Sequence, residues 1–105
     1  MEIERLEALR TMLIADPANT LARYGLAMEL VKTGDVDAGL NEFGYLMQHH
    51  PDYAAAYYHA GRALEGQGRI EEAREVMEKG VEVTTRIGDQ HTRSELQAAL
   101  DMLGI

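Results

Sequence analysis

The sequence predicts an all-α fold, a right-handed stack of about six helices built from a repeated helical hairpin. Two observations predict it. The sequence repeats itself at an offset of 34 residues. This offset separates its only two prolines, Pro17 and Pro51 (51 − 17 = 34), and it also separates Gly34 from Gly68. Apolar residues also recur every three or four positions, with no competing strand-like alternation. A fixed period of this length is typical of solenoid proteins, in which each unit packs on the next.

The N-terminal segment, residues 1–16, predicts one amphipathic helix. Its apolar residues fall on a single stripe, as expected for a surface helix, and they are Ile3, Leu6, Leu9, Met12 and Leu13. The segment corresponds to the second helix of a hairpin whose first helix is missing.

Residues 20–53 predict the first complete hairpin. Each half carries apolar residues at helical spacing: Leu21, Tyr24, Ala27, Met28 and Val31 in the first, and Val36, Leu40, Phe43 and Met47 in the second. Gly34 lies between the halves, where glycine accepts the left-handed backbone of a helix end. Pro17 and Pro51 disfavour a helical residue before them and therefore mark the joints between hairpins.

Residues 54–87 predict the second hairpin, with Gly68 at its turn and a long second helix that ends at Gly88. Residues 89–105 predict a capping helix. One of its faces is apolar (Leu96, Ala99, Leu100 and Leu103) and the opposite face is polar (Arg93, Gln97 and Asp101). Residues 1–105 then form one domain, since terminal helices with a polar outer face are what closes a solenoid.

Both hairpins resemble the tetratricopeptide repeat, and the resemblance covers residues 20–85. The family signature is an aromatic, Leu-Gly and Tyr in the first helix, Ala and Phe in the second, and a closing Pro. The first hairpin matches it with Arg23, Leu26, Ala27, Leu30, Gly39, Phe43 and Pro51, and the second with Tyr57, Ala60, Gly61, Leu64, Ala73, Met77 and Thr85. Arg23, Gly39 and Thr85 depart from the signature. The chain is thus similar to short stand-alone bacterial proteins with a tetratricopeptide-like solenoid.

The resemblance implies a concave groove, built from the first helix of each hairpin, that binds peptides or partner helices. Helical spacing places eight residues on that side: Leu21, Tyr24, Met28 and Val31 in the first hairpin, and Ala55, Tyr58, Arg62 and Glu65 in the second. Tyr24 and Tyr58 occupy equivalent positions, and tyrosine is a frequent interface hot spot. Two alternatives stay open for Tyr24, which either faces the groove or replaces the core aromatic missing at Arg23.

Composition argues against several other classes of function. The net charge is −8, and the basic residues are scattered among acidic ones, so we expect no nucleic-acid binding. There are no cysteines, which excludes disulfides and thiol chemistry. The first residues are acidic rather than a basic signal region, and no apolar run is long enough to cross a membrane. We therefore expect a cytoplasmic protein with no membrane partner.

The histidine-rich stretch HHPDYAAAYYH, residues 49–59, is the strongest candidate for chemistry. Metal-binding helices place ligands three or four residues apart, whereas His49 and His50 are adjacent and His59 lies beyond a proline. The glycines of GRALEGQGR, residues 61–69, lack the Lys and Ser or Thr of a phosphate loop. Nothing in the sequence assembles a base and an oxyanion hole around Ser94. We expect no metal, no cofactor and no catalytic activity.

Two functions remain open at this point. The first is an adaptor that binds a peptide or amphipathic helix of another protein in the groove. The second is self-association, through the groove or through the N-terminal helix, because a solenoid that ends in half a hairpin leaves an edge to cover.

Overall fold

The predicted all-α fold is confirmed. A computed structural model describes residues 2–104, and the side chains of residues 4–104. Within residues 2–104 there are six α-helices and no β-strand: α1 (Glu2–Ala15), α2 (Thr20–Lys32), α3 (Val36–His49), α4 (Ala54–Gly66), α5 (Ile70–Ile87) and α6 (Gln90–Leu103). None of these helices is both long and apolar enough to cross a membrane. The chain divides into two compact units, Met1–His50 and Pro51–Ile105.

The first unit packs α2 against α1 on one side and against α3 on the other. Its core joins Leu9 of α1 to three residues of α2, Ala22, Leu26 and Leu30, with Leu6 and Leu13 packed around them. Phe43 and Leu46 of α3 are completely buried. The apolar stripe expected on α1 therefore does face the core, although Met12 stays 48% exposed and the side chain of Ile3 lies outside the described residues.

The second unit packs α4 against both α5 and α6. Tyr57, Met77 and Leu96, one from each helix, are all buried. Gly80 permits this arrangement, since a Cβ atom there would lie 2.7 Å from the Cβ of Tyr57 and 2.8 Å from Cδ1 of Leu96. The polar face expected on α6 is exposed, and Gln97 donates a hydrogen bond to Asp101 across 3.2 Å.

The two hairpin turns close in the same way. Gly34 and Gly68 have φ angles of +99° and +75°, a conformation that glycine adopts at little cost. The following amide donates back to the carbonyl five residues earlier in each turn, from Asp35 to Leu30 and from Arg69 to Leu64. This is the Schellman arrangement, which satisfies carbonyls at the end of a helix. The same turn hydrogen bonds therefore recur after 34 residues, as the sequence does.

Candidate functional site

Three of the predicted groove residues of the first unit, Leu21, Tyr24 and Met28, line one cavity of about 640 Å³. They lie on one face of α2, because their spacing returns to the same side of a helix. The opposite wall comes from α1. The whole lining consists of Arg5, Leu9, Met12, Asn19, Leu21, Ala22, Tyr24, Gly25 and Met28. A cavity of this size and apolar character is in the range of sites that hold a ligand or several partner side chains.

Tyr24 takes part in both of the arrangements that the sequence left open. Its ring lies edge-on to the buried ring of Phe43, with centroids 6.3 Å apart and an interplanar angle of 62°. The side chain is also only half-buried and forms part of the cavity wall. Tyr24 therefore ties the cavity to the core of the hairpin, so its truncation would disturb both.

Val31, the fourth predicted groove residue of this unit, packs against α3. A Cβ atom on Gly39 would lie 2.6 Å from Cγ2 of Val31 and 2.9 Å from the carbonyl oxygen of Ala27. Ala27 and Gly39 therefore face each other where α2 and α3 pack together. Val31 occupies space that an alanine at position 39 would need, which explains the departure from the family signature at that position.

Among the described residues of the cavity lining, Arg5 is the only basic one, and a carboxylate holds it in place. Its Nε atom lies 3.0 Å from Oε2 of Glu29, whose side chain is 8% exposed. A nearly buried carboxylate needs such a partner, because an unpaired buried charge is costly. The Arg5 side chain remains 61% exposed.

In the second unit, three of the predicted residues form a polar chain along α4. Nη1 of Arg62 donates to the hydroxyl of Tyr58 across 2.9 Å, and Nε of Arg62 lies 3.0 Å from Oε1 of Glu65. The hydrogen bond to Tyr58 is the main reason why the pKa of Arg62 is raised above its usual value. Ala55, on the same helix, is half-buried. This face offers a phenol ring and a fixed cation, whereas the cavity of the first unit is mostly apolar.

His59 lies next to this polar chain and contacts the Tyr58 ring edge-on, with centroids 5.1 Å apart. Its pKa is lowered, first because burial disfavours the charged imidazolium; the nearby carboxylate of Glu95 on α6 opposes that effect and Arg62 adds to it. His59 is therefore a packed side chain between α4 and α6.

The other histidines of the candidate metal stretch lie at the end of α3. His49 is the last residue of that helix and its ring packs on Tyr45 at 4.2 Å. His50 is the C-cap, and its amide donates to the carbonyl of Leu46. Among the residues that the structure describes, no cluster of three or more His, Cys, Asp or Glu side chains could hold a metal ion.

Arg23 has a role that inspection of the sequence alone did not identify. Its Nη2 donates to the carbonyl of Pro17 across 2.9 Å, just as the Tyr57 hydroxyl donates to the carbonyl of Pro51 across 2.7 Å. The same guanidinium lies 2.7 Å from Glu42 and 3.8 Å from the ring centroid of Tyr45. Arg23 thus replaces the family's aromatic residue by preserving its hydrogen bond to the proline joint. The 34-residue offset between Arg23 and Tyr57 is the signal that could have revealed this.

The α1 wall of the cavity was also missed, since the predicted groove used only the first helix of each hairpin. Arg5, Leu9 and Met12 belong to α1. A signal was present in the sequence, because these residues precede Ala73, Met77 and Gly80 by twice the repeat length (73 − 5 = 77 − 9 = 80 − 12 = 68). They therefore hold the positions that face the first helix within a complete hairpin.

Comparisons with known proteins agree with this architecture. The family model described as tetratricopeptide repeat matches residues 24–84. A TPR repeat-containing protein of Pseudomonas aeruginosa is 26% identical over 98 residues, which is 93% of each chain. The solution structure of a tetratricopeptide repeat domain protein from Salinibacter ruber superposes with a TM-score of 0.80 at 35% identity, over 85% of this chain and 90% of that one.

A solution structure of a protein from Bordetella parapertussis is similar to the same degree. It has a TM-score of 0.81 at 32% identity and covers 93% of this chain and 85% of its own. The family model covers more than half of the sequence, and the structural likeness extends over most of the remainder. The chain therefore belongs to the tetratricopeptide repeat family.

Proposed function

We propose that this protein is a cytoplasmic adaptor that binds a peptide or an amphipathic helix of another protein. Tetratricopeptide repeats generally mediate protein–protein interaction and are generally non-catalytic. The observation that carries the proposal is the cavity of the first unit, in which Leu21, Tyr24 and Met28 form an apolar wall with few competing polar groups. Apolar cavities of this kind accept the anchor side chains of a partner.

The face of α4 adds polar recognition. Tyr58 supplies aromatic area with few rotors to freeze, and Arg62 supplies a cation held by Tyr58 and Glu65. Such a pre-ordered cation loses little conformational entropy when it binds. A partner of this face would carry an acceptor for Arg62 next to an apolar or aromatic side chain.

The test is affinity capture from native lysate, followed by titration of each captured protein in purified form. The variant combines Leu21→Lys, at a side chain that is 72% exposed, with Tyr58→Ala. We avoid Tyr24→Ala, because its contact with Phe43 would confuse loss of binding with loss of packing. Met102→Lys, at an exposed apolar residue of α6, is the matched control. A partner that binds the wild type and the control, but not the double variant, is the expected result. Equal binding of that partner to all three proteins would contradict the proposal.

Self-association is the alternative function, favoured by the exposure of Met12 and Leu21, which line the same cavity of the first unit. Exposed apolar side chains that lie close together often mark an interface. Light scattering over a range of concentrations tests it. A mass of one chain at the highest concentration would exclude it, whereas a dimer that Leu21→Lys converts to monomer would favour it over the adaptor.

A further inference from the structure

In the second unit, α4 packs against two other helices, and the first unit has a cavity at the equivalent place. In that unit α4 packs against α5 and α6 together. Met77 and Gly80 of α5 face α4 closely, because Cβ atoms on Gly61 and Gly80 would lie 2.6 Å from Cγ of Met77 and 2.7 Å from Cβ of Tyr57. A first helix of a hairpin thus covers both the second helix of its own hairpin and the first helix of the following segment.

In the first unit, α1 and α2 form the pair that is equivalent to α5 and α6. The equivalents of Met77 and Gly80 are Leu9 and Met12, and both line the cavity. Among the described residues of this unit, no helix covers these side chains in the manner of α4. The cavity therefore lies at the position where the repeat places a helix.

Two of the residues that line the cavity on α1 are larger than their equivalents on α5, and this limits how closely a bound helix can approach. Ala73 and Gly80 allow α4 to approach α5 closely, whereas their equivalents in α1 are the large residues Arg5 and Met12. A helix bound here cannot come as near to α1 as α4 comes to α5. It must instead fill the cavity with large apolar side chains of its own, since unfilled apolar space loses dispersion contacts.

The charge at the cavity edge selects further among such helices. Among the described residues of the lining, Arg5 is the only charged one. Glu29 holds it through Nε, and most of its side chain is exposed. Arginine has five N–H donors and can accept a second carboxylate. The edge of the cavity thus favours an acidic side chain and disfavours a lysine.

We infer that the α1–α2 cavity is a docking site for one amphipathic helix of another protein, which takes the place held by α4 in the second unit and pairs an acidic side chain with Arg5. The inference rests on the proposed adaptor function and specifies its partner: a helix with a stripe of large apolar residues flanked by Asp or Glu. It also places the contact partly on α1, outside the faces of α2 and α4 that the proposed function uses.

The probes are capped, alanine-based peptides of about 16 residues, with leucines at i, i+3, i+4 and i+7. One position beside the stripe is Glu, Gln or Lys in three otherwise identical peptides. Binding is measured by fluorescence anisotropy against the wild type and four variants. Met12→Lys changes only the α1 wall of the cavity. Its control is Ile14→Lys, at an exposed residue of the same helix outside the lining. Arg5→Gln removes the cation, and Tyr58→Ala changes only the α4 face. Circular dichroism verifies that each variant is folded.

We expect the Glu peptide to bind the wild type about fivefold more tightly than the Lys peptide, the scale of one exposed ion pair. Arg5→Gln should abolish that preference, and Met12→Lys should weaken all three peptides at least about tenfold, because it places a charge in an apolar cavity. Ile14→Lys should bind as the wild type does, and Tyr58→Ala should keep the preference for the Glu peptide, because that preference depends on Arg5. Full binding by Met12→Lys with loss in Tyr58→Ala would overturn the inference and leave the adaptor function in place. Failure of every peptide to bind would overturn it too, as would a wild-type dimer that Met12→Lys converts to monomer, since the occupant would then be a second copy.

Discussion

At the residue scale, the close packing of α2 against α3 depends on the absence of a side-chain methyl group at Gly39. Gly39 stands where the family signature has alanine, and the space for that methyl is taken by Val31 and the carbonyl of Ala27. Gly44, on the same helix, has no atom within 4 Å of a Cβ placed on it. The two glycines therefore have opposite consequences, although both lie within α3.

We predict that Gly39→Ala lowers the free energy of unfolding by about 1–3 kcal/mol, because overpacking outweighs the gain in helix propensity. Gly44→Ala should raise it by about 0.5–1 kcal/mol, since only the propensity changes. Urea denaturation of both variants measures this. A stabilising Gly39→Ala would show that α2 and α3 can separate at no cost.

Arg23 shows how one residue can replace another of different chemistry within a repeat. The Arg23 side chain is 14% exposed, and its guanidinium contacts the Pro17 carbonyl and the Glu42 carboxylate. A charged side chain can occupy a position that otherwise carries an aromatic because it is hydrogen-bonded to both acceptors.

We predict that Arg23→Ala costs about 1–3 kcal/mol of stability, because it leaves the Glu42 carboxylate and the Pro17 carbonyl without this donor. Lys79→Ala, which removes an exposed ion pair to Glu82, should change stability by less than about 1 kcal/mol. A double-mutant cycle with Glu42→Ala isolates the pair in urea unfolding. Additive effects of the two substitutions would contradict the coupling.

At the element scale, the attachment of α6 depends on how the chain enters that helix. Asp89 is its N-cap and accepts a hydrogen bond from the Thr92 amide across 3.0 Å. That backbone hydrogen bond is the main reason why the pKa of Asp89 is lowered. α6 in turn buries Leu96 against Gly80 of α5, so fraying of its first turn would loosen the packing of the second unit.

We predict that Asp89→Ala lowers the urea midpoint at pH 7 and that its difference from wild type shrinks in acid. A carboxyl whose pKa is lower in the folded state stabilises above its unfolded pKa of about 3.9, and that stabilisation is lost as pH falls through the folded-state value. Asp89→Asn caps the helix without titrating, so it should keep the midpoint at pH 7 and lose this part of the pH dependence. A difference between wild type and Asp89→Ala that persists undiminished at pH 2 would contradict the role of the carboxylate.

At the scale of the whole molecule, the net charge supports the prediction that this protein does not bind nucleic acid. The net charge is −8, and several basic side chains are already paired with carboxylates, among them Arg23 with Glu42, Arg69 with Glu72 and Arg86 with Asp52. Binding to DNA requires cations that displace counterions from phosphates. The acidic surface instead favours solubility.

We predict no mobility shift of a DNA duplex or of single-stranded RNA at about 50 mM salt, a condition that favours electrostatic association. The measurement is a gel-shift titration, with a basic protein of similar size as positive control. A salt-sensitive shift would reveal a basic surface that the ion pairs do not neutralise.

The sequence by itself determined the helices and their joints. The 34-residue period, the spacing of the prolines and the two turn glycines determine local backbone geometry. That geometry depends on residues that are neighbours in the sequence. The expected end of α5 at Gly88 follows from that local control. The groove residues could be assigned to faces of α2 and α4 for the same reason, since helical phase depends only on spacing.

Only the tertiary structure decided what each of those faces contacts. Val31 lies against Gly39, Tyr24 divides its surface between Phe43 and a cavity, and Arg62 is held by Tyr58 and Glu65. The contribution of α1 to the cavity, through Arg5, Leu9 and Met12, also depended on which helix packs beside α2. The physical reason is that periodicity fixes only the direction in which a side chain leaves its own helix. Burial and ion pairing depend instead on the distance between helices, and that distance is set by close-packed side chains that are far apart in the sequence.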